Sequence, residues 1–217
     1  LDEETPDFAG DMKSRMDGWL NHLYHWTSIG KLYRRAYLNA HQIRFQGLRI
    51  AEDQLFILDN LVHADVYVSQ NKCLYIVRTG DVTSITRERK TPRVFVSALQ
   101  SLFASLECMD HVFRDVPFFE EYPEYKAKLT DFQVQTIENE FCIPKYQEFG
   151  RELLSKDEDV SKVFTSYFGN KGAFVEKTLF DSYDRKPAVG SNDYDGEGLY
   201  EKLKKLREVS PYLRGRR

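Results

Sequence analysis

The run Ala51-Glu52-Asp53-Gln54-Leu55-Phe56-Ile57-Leu58-Asp59-Asn60-Leu61-Val62-His63 decides how the first half of the chain is read. Leu55, Phe56, Leu58, Leu61 and Val62 recur at helical spacing, which lays them along the buried stripe of an α-helix ending at about Ala64. Glu52 and Asp53 stand just before it. An acidic pair there is first of all a cap: its oxygens accept from backbone N–H groups that lack an intrahelical partner, and its charge complements the helix dipole. The same place also suits chemistry, because a carboxylate held against a hydroxyl can take its proton as that oxygen attacks. By residue type alone the cap is the better reading.

Outward from this helix the pattern changes on both sides. Upstream, Met16, Trp19, Leu20, Leu23 and Trp26 predict an amphipathic helix between Met12 and Trp26. Lys31 to Arg35 reads as a short strand or turn, Ala36 to His41 as a short helix, and Ile43-Arg44-Phe45 as extended chain. Downstream, Val66-Tyr67-Val68 and Cys73 to Val77 read as two strands separated by polar residues. Beyond Arg87 the period is helical. Val94, Ala98, Leu99, Leu102, Phe103 and Leu106 mark one long helix, Phe132, Ile137 and Phe141 another, and Val160 to Phe168 and Phe174 to Phe180 two shorter ones. Pro187 to Gly198 reads as a loop before a charged helix from Leu199 to Val209. Phe118, Phe119, Tyr122 and Tyr125 form either the seam between two helices or a docking surface, and the seam is preferred.

The chain has 217 residues, 41% of them hydrophobic and 14% aromatic, enough for an ordinary core. Its formal charge is -3, and the overall balance does not call for nucleic acid. Arg214, Arg216 and Arg217 make a short basic end that reads as a solvated tail. Cys73, Cys108 and Cys142 are far apart and form neither a disulfide framework nor a zinc site. No apolar run reaches the roughly 20 residues that span a bilayer, and the acidic Leu1-Asp2-Glu3-Glu4 is unlike a signal peptide, so a cytoplasmic protein is expected.

Around Glu52-Asp53 the residues are basic and hydroxyl-bearing. Lys31, Tyr33, Arg34 and Arg35 lie upstream; Arg78, Thr79, Thr83, Ser84 and Thr86 lie downstream. That composition suits a phosphorylated or glycosidic ligand, and equally a surface of salt bridges and turns.

In order and spacing, Ser28-Ile29-Gly30-Lys31-Leu32-Tyr33-Arg34-Arg35, Ile43-Arg44-Phe45, Ala51-Glu52-Asp53-Gln54-Leu55-Phe56, Leu74-Tyr75 and Thr83-Ser84-Ile85-Thr86 resemble the second half of the family-2 inverting glycosyltransferases. The nearest in motif are those that build bacterial surface polysaccharides or glycosylate teichoic acid. The resemblance covers roughly residues 26 to 88. It implies an α+β, mostly helical chain: remnant strands of an A-type glycosyltransferase domain in residues 28–88, then a helical C-terminal extension. The division is into residues 1–90, the acceptor-side half of the catalytic domain, and 91–217.

The resemblance further implies that Asp53 is the general base that deprotonates an acceptor hydroxyl and that Glu52 orients it or touches the acceptor. Lys31, Tyr33 and Arg34 match the strand beside the acceptor cleft, and Arg78 and Ser84 the loop that closes over the diphosphate. No His lies between His63 and His111, so no metal ligand is expected from this half.

Such enzymes place the nucleotide-sugar, and an Asp-x-Asp holding Mg or Mn, in a preceding half. The Asp-x-Asp at Asp193-Tyr194-Asp195 reads as a chance match. The expectation is therefore part of a larger transferase, inactive alone and without bound metal, that takes a glycan or surface-polymer acceptor and meets nucleotide-sugar only through the donor-binding half. Peripheral association with the inner face of the membrane and homo-oligomerisation both stay open. The alternative is a non-catalytic helical interaction or oligomerisation module.

Overall fold

The computed structural model describes residues 11–21, 26–68, 75–76, 91–141, 154 and 156–183. The described chain is mostly helical: α1 (Met12–Leu20), α2 (Arg35–Ala40), α3 (Glu52–His63), α4 (Pro92–Asp115), α5 (Phe118–Glu121), α6 (Glu124–Phe141), α7 (Glu158–Phe168) and α8 (Gly172–Tyr183), with a 3-10 turn at Gly169–Lys171. No helix among the described residues is long and apolar enough to cross a membrane.

The 24-residue α4 is the shared spine of two cores. Its first half sends Phe95, Leu99, Leu102, Phe103 and Leu106 into a C-terminal core with Ile137 of α6, Val160, Val163, Phe164 and Phe168 of α7, and Val175 and Phe180 of α8. Its last turns send Met109 and Phe113 into an N-terminal core with Met16 and Trp19 of α1, the α3 stripe, and Tyr125 and Leu129 of α6. Between Leu129 and Ile137, α6 also turns polar side chains inward, beside Phe132 on Trp19. Gln133 donates to Ser105 Oγ of α4, and Thr136 Oγ1 accepts from Gln54 Nε2 of α3 at 3.2 Å. A buried amide must find such partners or lose its hydration uncompensated.

The helix starts differ in how they are closed. Thr91 caps α4 by accepting from Val94 N–H at 3.2 Å, and Asp157 caps α7 by accepting from Asp159 and Val160 N–H. The last turn of α3 is closed from outside: Arg15 of α1 is buried and donates to the carbonyl of Ala64, a cation at the negative end of a helix. Helix α2 ends in the reciprocal pair of bonds that turns a helix off, Gln42 N–H to Asn39 and Ile43 N–H to Leu38. Gln42 takes the left-handed conformation there (φ 55°), a place that glycine fills more easily. Its return is the burial of Ile43, 1% exposed, on the N-terminal core.

Three sequence readings change. The first helix stops at Leu20, and Trp26 is 44% exposed. Lys31 to Arg34 and Ile43 to Phe45 are irregular, and among the described residues there is no strand; Val68 makes one isolated bridge. The apolar alternation that suggested strands instead fixes single rings onto α3, Tyr33 edge-on to Phe56 (5.1 Å) and Phe45 stacked on it (4.1 Å, 6°), with no ladder. Most of Cys73 to Val77, the loop 187–198 and the segment Leu199 to Val209 lie outside the described residues. The aromatic group at Phe118, Phe119 and Tyr125 is interior, and Tyr125 Oη donates to Asp17 across to α1 at 2.7 Å.

Candidate functional site

Glu52 and Asp53 are the first two residues of α3, and Asp53 does not cap it. The N-cap is Ala51, held in the left-handed conformation (φ 68°) with no side-chain acceptor. Asp53 Oδ1 turns away and accepts from the backbone N–H of Ser28 at 3.0 Å, tying the 26–30 turn to the helix start. Its Oδ2 has no hydrogen-bond partner among the described residues. A non-glycine residue at positive φ costs about 1–2 kcal/mol, so the local geometry that aims this carboxylate is held against its own backbone preference.

Lys31 and Tyr33 reach the same place. The Lys31 ammonium donates to the Thr27 carbonyl inside the turn. Partial burial lowers its pKa and the nearby Asp53 charge opposes that shift. Tyr33 packs its ring on Phe56, three residues after Asp53 and so one helical turn along the same side of α3. The Tyr33 hydroxyl is buried with no hydrogen-bond partner among the described residues. Burial raises its pKa, and Tyr67 and Asp53 raise it further, so it stays a neutral donor. Glu52 is pushed up by burial; a bond to its own N–H opposes this and the Asp53 charge adds to it.

The fold thus brings Lys31, Tyr33, Glu52 and Asp53 together from two stretches of chain. Arg34 is not among them. It is exposed at the N-cap of α2, where its carbonyl accepts from Leu38 N–H at 3.1 Å. Arg78 and Ser84 lie outside the described residues, as does the Asp193-Tyr194-Asp195 match. Sequence reasoning gave no role to Ser28, whose contribution is a main-chain N–H and so carries no residue signature. Tyr67 was read only as part of a strand.

At the other end of α3, the rings of His41 and His63 lie 5.0 Å apart, and His63 Nδ1 is 3.4 Å from Asp59 Oδ1. Among the described residues no group of three His, Cys, Asp or Glu side chains is placed to hold a metal ion. Cys108 is a free, half-buried thiol in α4.

What the Asp53 cluster offers chemically is a half-buried carboxylate with one oxygen tied to Ser28, a cation near it and a buried, neutral hydroxyl. Comparison with known protein families, curated proteins and solved structures finds no match to this chain.

Proposed function

We propose that this chain is the acceptor-side part of an inverting glycosyltransferase of the family-2 type, moving a sugar from a nucleotide-sugar to a hydroxyl of a glycan or surface polymer. The observation that carries the reading is the open Asp53 Oδ2, turned out of its own helix and set beside Lys31 and Tyr33. Asp53 takes the proton of the acceptor hydroxyl while that oxygen forms its bond to the anomeric carbon. The bond from that carbon to the diphosphate breaks, and its electron pair leaves with the diphosphate. Lys31 stands beside the carboxylate, Lys31 and Tyr33 line the acceptor side, and Glu52 orients Asp53.

Arg34, Arg78 and Ser84 complete the proposed binding set, the last two on the diphosphate side. The Mg or Mn that such transferases use has no ligand set among the described residues, and no step here runs through it. It belongs with the donor-binding half, and an A-type arrangement of residues 28–88 is part of the same proposal, as is work at the inner face of a membrane. In the enzyme carrying that half, Asp53→Asn abolishes transfer and leaves donor binding nearly intact.

A second reading, a non-catalytic interaction or self-association module, draws on the exposed Leu32, Val66 and Ile76. Sedimentation separates the two: a monomer whose mass does not change with concentration argues against self-association.

A further inference from the structure

Between Asp17 and Glu52 the chain contains no acidic residue, although acids outnumber Lys and Arg 34 to 31 over the whole sequence. Lys31, Arg34, Arg35, Arg44 and Arg49 all fall in that gap. The same stretch carries large apolar side chains that the fold leaves in solvent: Trp26 at 44%, Ile29 at 46%, Phe45 at 53% and Leu32 at 94% exposed. Their neighbours are the ones tied down. Ser28 bonds Asp53, Tyr33 packs on Phe56 beside the exposed Leu32, and Phe45 stacks on Phe56 with half its surface left open. These three ties gather the stretch against the first turns of one helix, α3, so the exposed apolar groups and the cations belong to one end of the molecule.

Two of these cations are not consumed by the fold. Arg34 and Arg35 are exposed and have no partner among the described residues. Arg44 is fixed at the end of α2, donating to the carbonyls of Leu38 and Ile43 and to Asn39 Oδ1. A stretch that is basic, without acids of its own and studded with exposed aliphatic side chains and a tryptophan, with Glu52 and Asp53 as its acidic neighbours at the start of α3, matches one kind of partner on both counts. An anionic bilayer presents phosphates to the guanidinium groups and an acyl boundary to Leu, Ile, Phe and Trp. A nucleic acid offers the phosphates and gives Ile29 and Leu32 nothing to enter.

We propose that the 26–45 stretch is a membrane-docking face, by which this chain binds peripherally to an anionic lipid surface with Ile29, Leu32, Trp26 and Phe45 entering the head-group layer and Arg34 and Arg35 engaging lipid phosphates. The inference stands on exposure and charge and does not depend on the chemistry assigned to Asp53.

The test is co-sedimentation of the full chain with phosphatidylcholine vesicles containing about 30% phosphatidylglycerol, against pure phosphatidylcholine. The anionic vesicles are expected to bind it more than about tenfold better, and raising salt from about 0.1 to 0.5 M to weaken the binding. Arg34→Gln with Arg35→Gln should lose about fivefold per charge, and Leu32→Ser with Ile29→Ser about tenfold. Leu32 is almost wholly exposed, so Leu32→Ser alone keeps the fold, as far-UV circular dichroism will check. Absence of any preference for anionic vesicles overturns the proposal. So does binding that is indifferent to Leu32→Ser and Ile29→Ser, or binding to a duplex oligonucleotide that depends on the arginines and exceeds binding to vesicles.

Discussion

The two cores that share α4 solve the same packing problem by different means. On the C-terminal side, α7 lies directly on α4 and α8 packs on α7 and α6, the start of α7 is capped by Asp157, and the large rings are inside, with Phe103 touching Phe164, Tyr167 and Phe168. On the N-terminal side an irregular stretch of chain is pinned onto α3 ring by ring. Among the described residues, both non-glycine residues with positive φ, Gln42 and Ala51, are there, and eight of the nine large exposed hydrophobic residues precede α4 in the chain. Of the two strained residues, Ala51 lies at the candidate site, whereas Gln42 ends α2 beside His41, toward the other end of α3.

The sharpest way to break this contrast is to remove a ring from each side. Phe103→Ala should cost about 3–5 kcal/mol in urea unfolding, because a buried aromatic leaves a cavity. Phe45→Ala, half exposed although stacked on Phe56, should cost only about 1 kcal/mol. Equal losses would mean that Phe45 belongs to the core.

A smaller effect tests the closeness of the C-terminal packing. A Cβ at Gly172 would sit 2.8 Å from the backbone of Phe164 and Thr165, so Gly172→Ala should cost about 1–3 kcal/mol. A neutral result would show that the α7–α8 contact is loose. On the opposite side the sign reverses. Ala51→Gly relieves a left-handed residue and should raise stability by about 0.5–1 kcal/mol after the added freedom of the unfolded chain is counted. A destabilised variant would remove the argument that the start of α3 is strained.

The smallest effect is in the pH dependence. Burial raises the carboxyl of Asp59, with His63 and His41 opposing, so the folded chain holds that proton more tightly than the unfolded one. Stability from this group is therefore greatest at low pH and falls as pH rises from the ordinary value of 3.8 through the higher folded one. Asp59→Asn should flatten that decline in a series of melting curves. An unchanged slope would place Asp59 in water.

Helices α3, α4 and α7 were legible because each buries a stripe with helical spacing, and they and α8 appear where Leu55, Val94, Val160 and Phe174 suggested. The irregular stretch was not. Its short apolar runs resemble strands, yet Tyr33 and Phe45 are placed by contact with Phe56, a residue distant in the chain, and no local period records that.

The hydrogen-bonding half of the cap reading fails for Asp53 for a related reason, since the competing donor, the Ser28 N–H, is 25 residues away, while both acids still stand in the first turn of α3 where their charge complements the dipole. Proximity of Lys31 and Tyr33 to Asp53 was anticipated through the family resemblance, whereas the acid-free stretch from 18 to 51 was hidden by a nearly balanced total charge. Arg34 was grouped with the site by its place in the motif, but its position opening α2 turns it to solvent.

The most direct measurement is sugar transfer by Asp53→Asn in the enzyme carrying the donor-binding half, with donor affinity read in parallel. The amide keeps the shape of the carboxylate and its acceptance of the Ser28 N–H but cannot take a proton. The account predicts a loss in kcat on the order of 10² to 10⁴ with donor binding nearly unchanged. Near wild-type turnover would show that Asp53 only anchors the 26–30 turn, and the catalytic reading would be wrong.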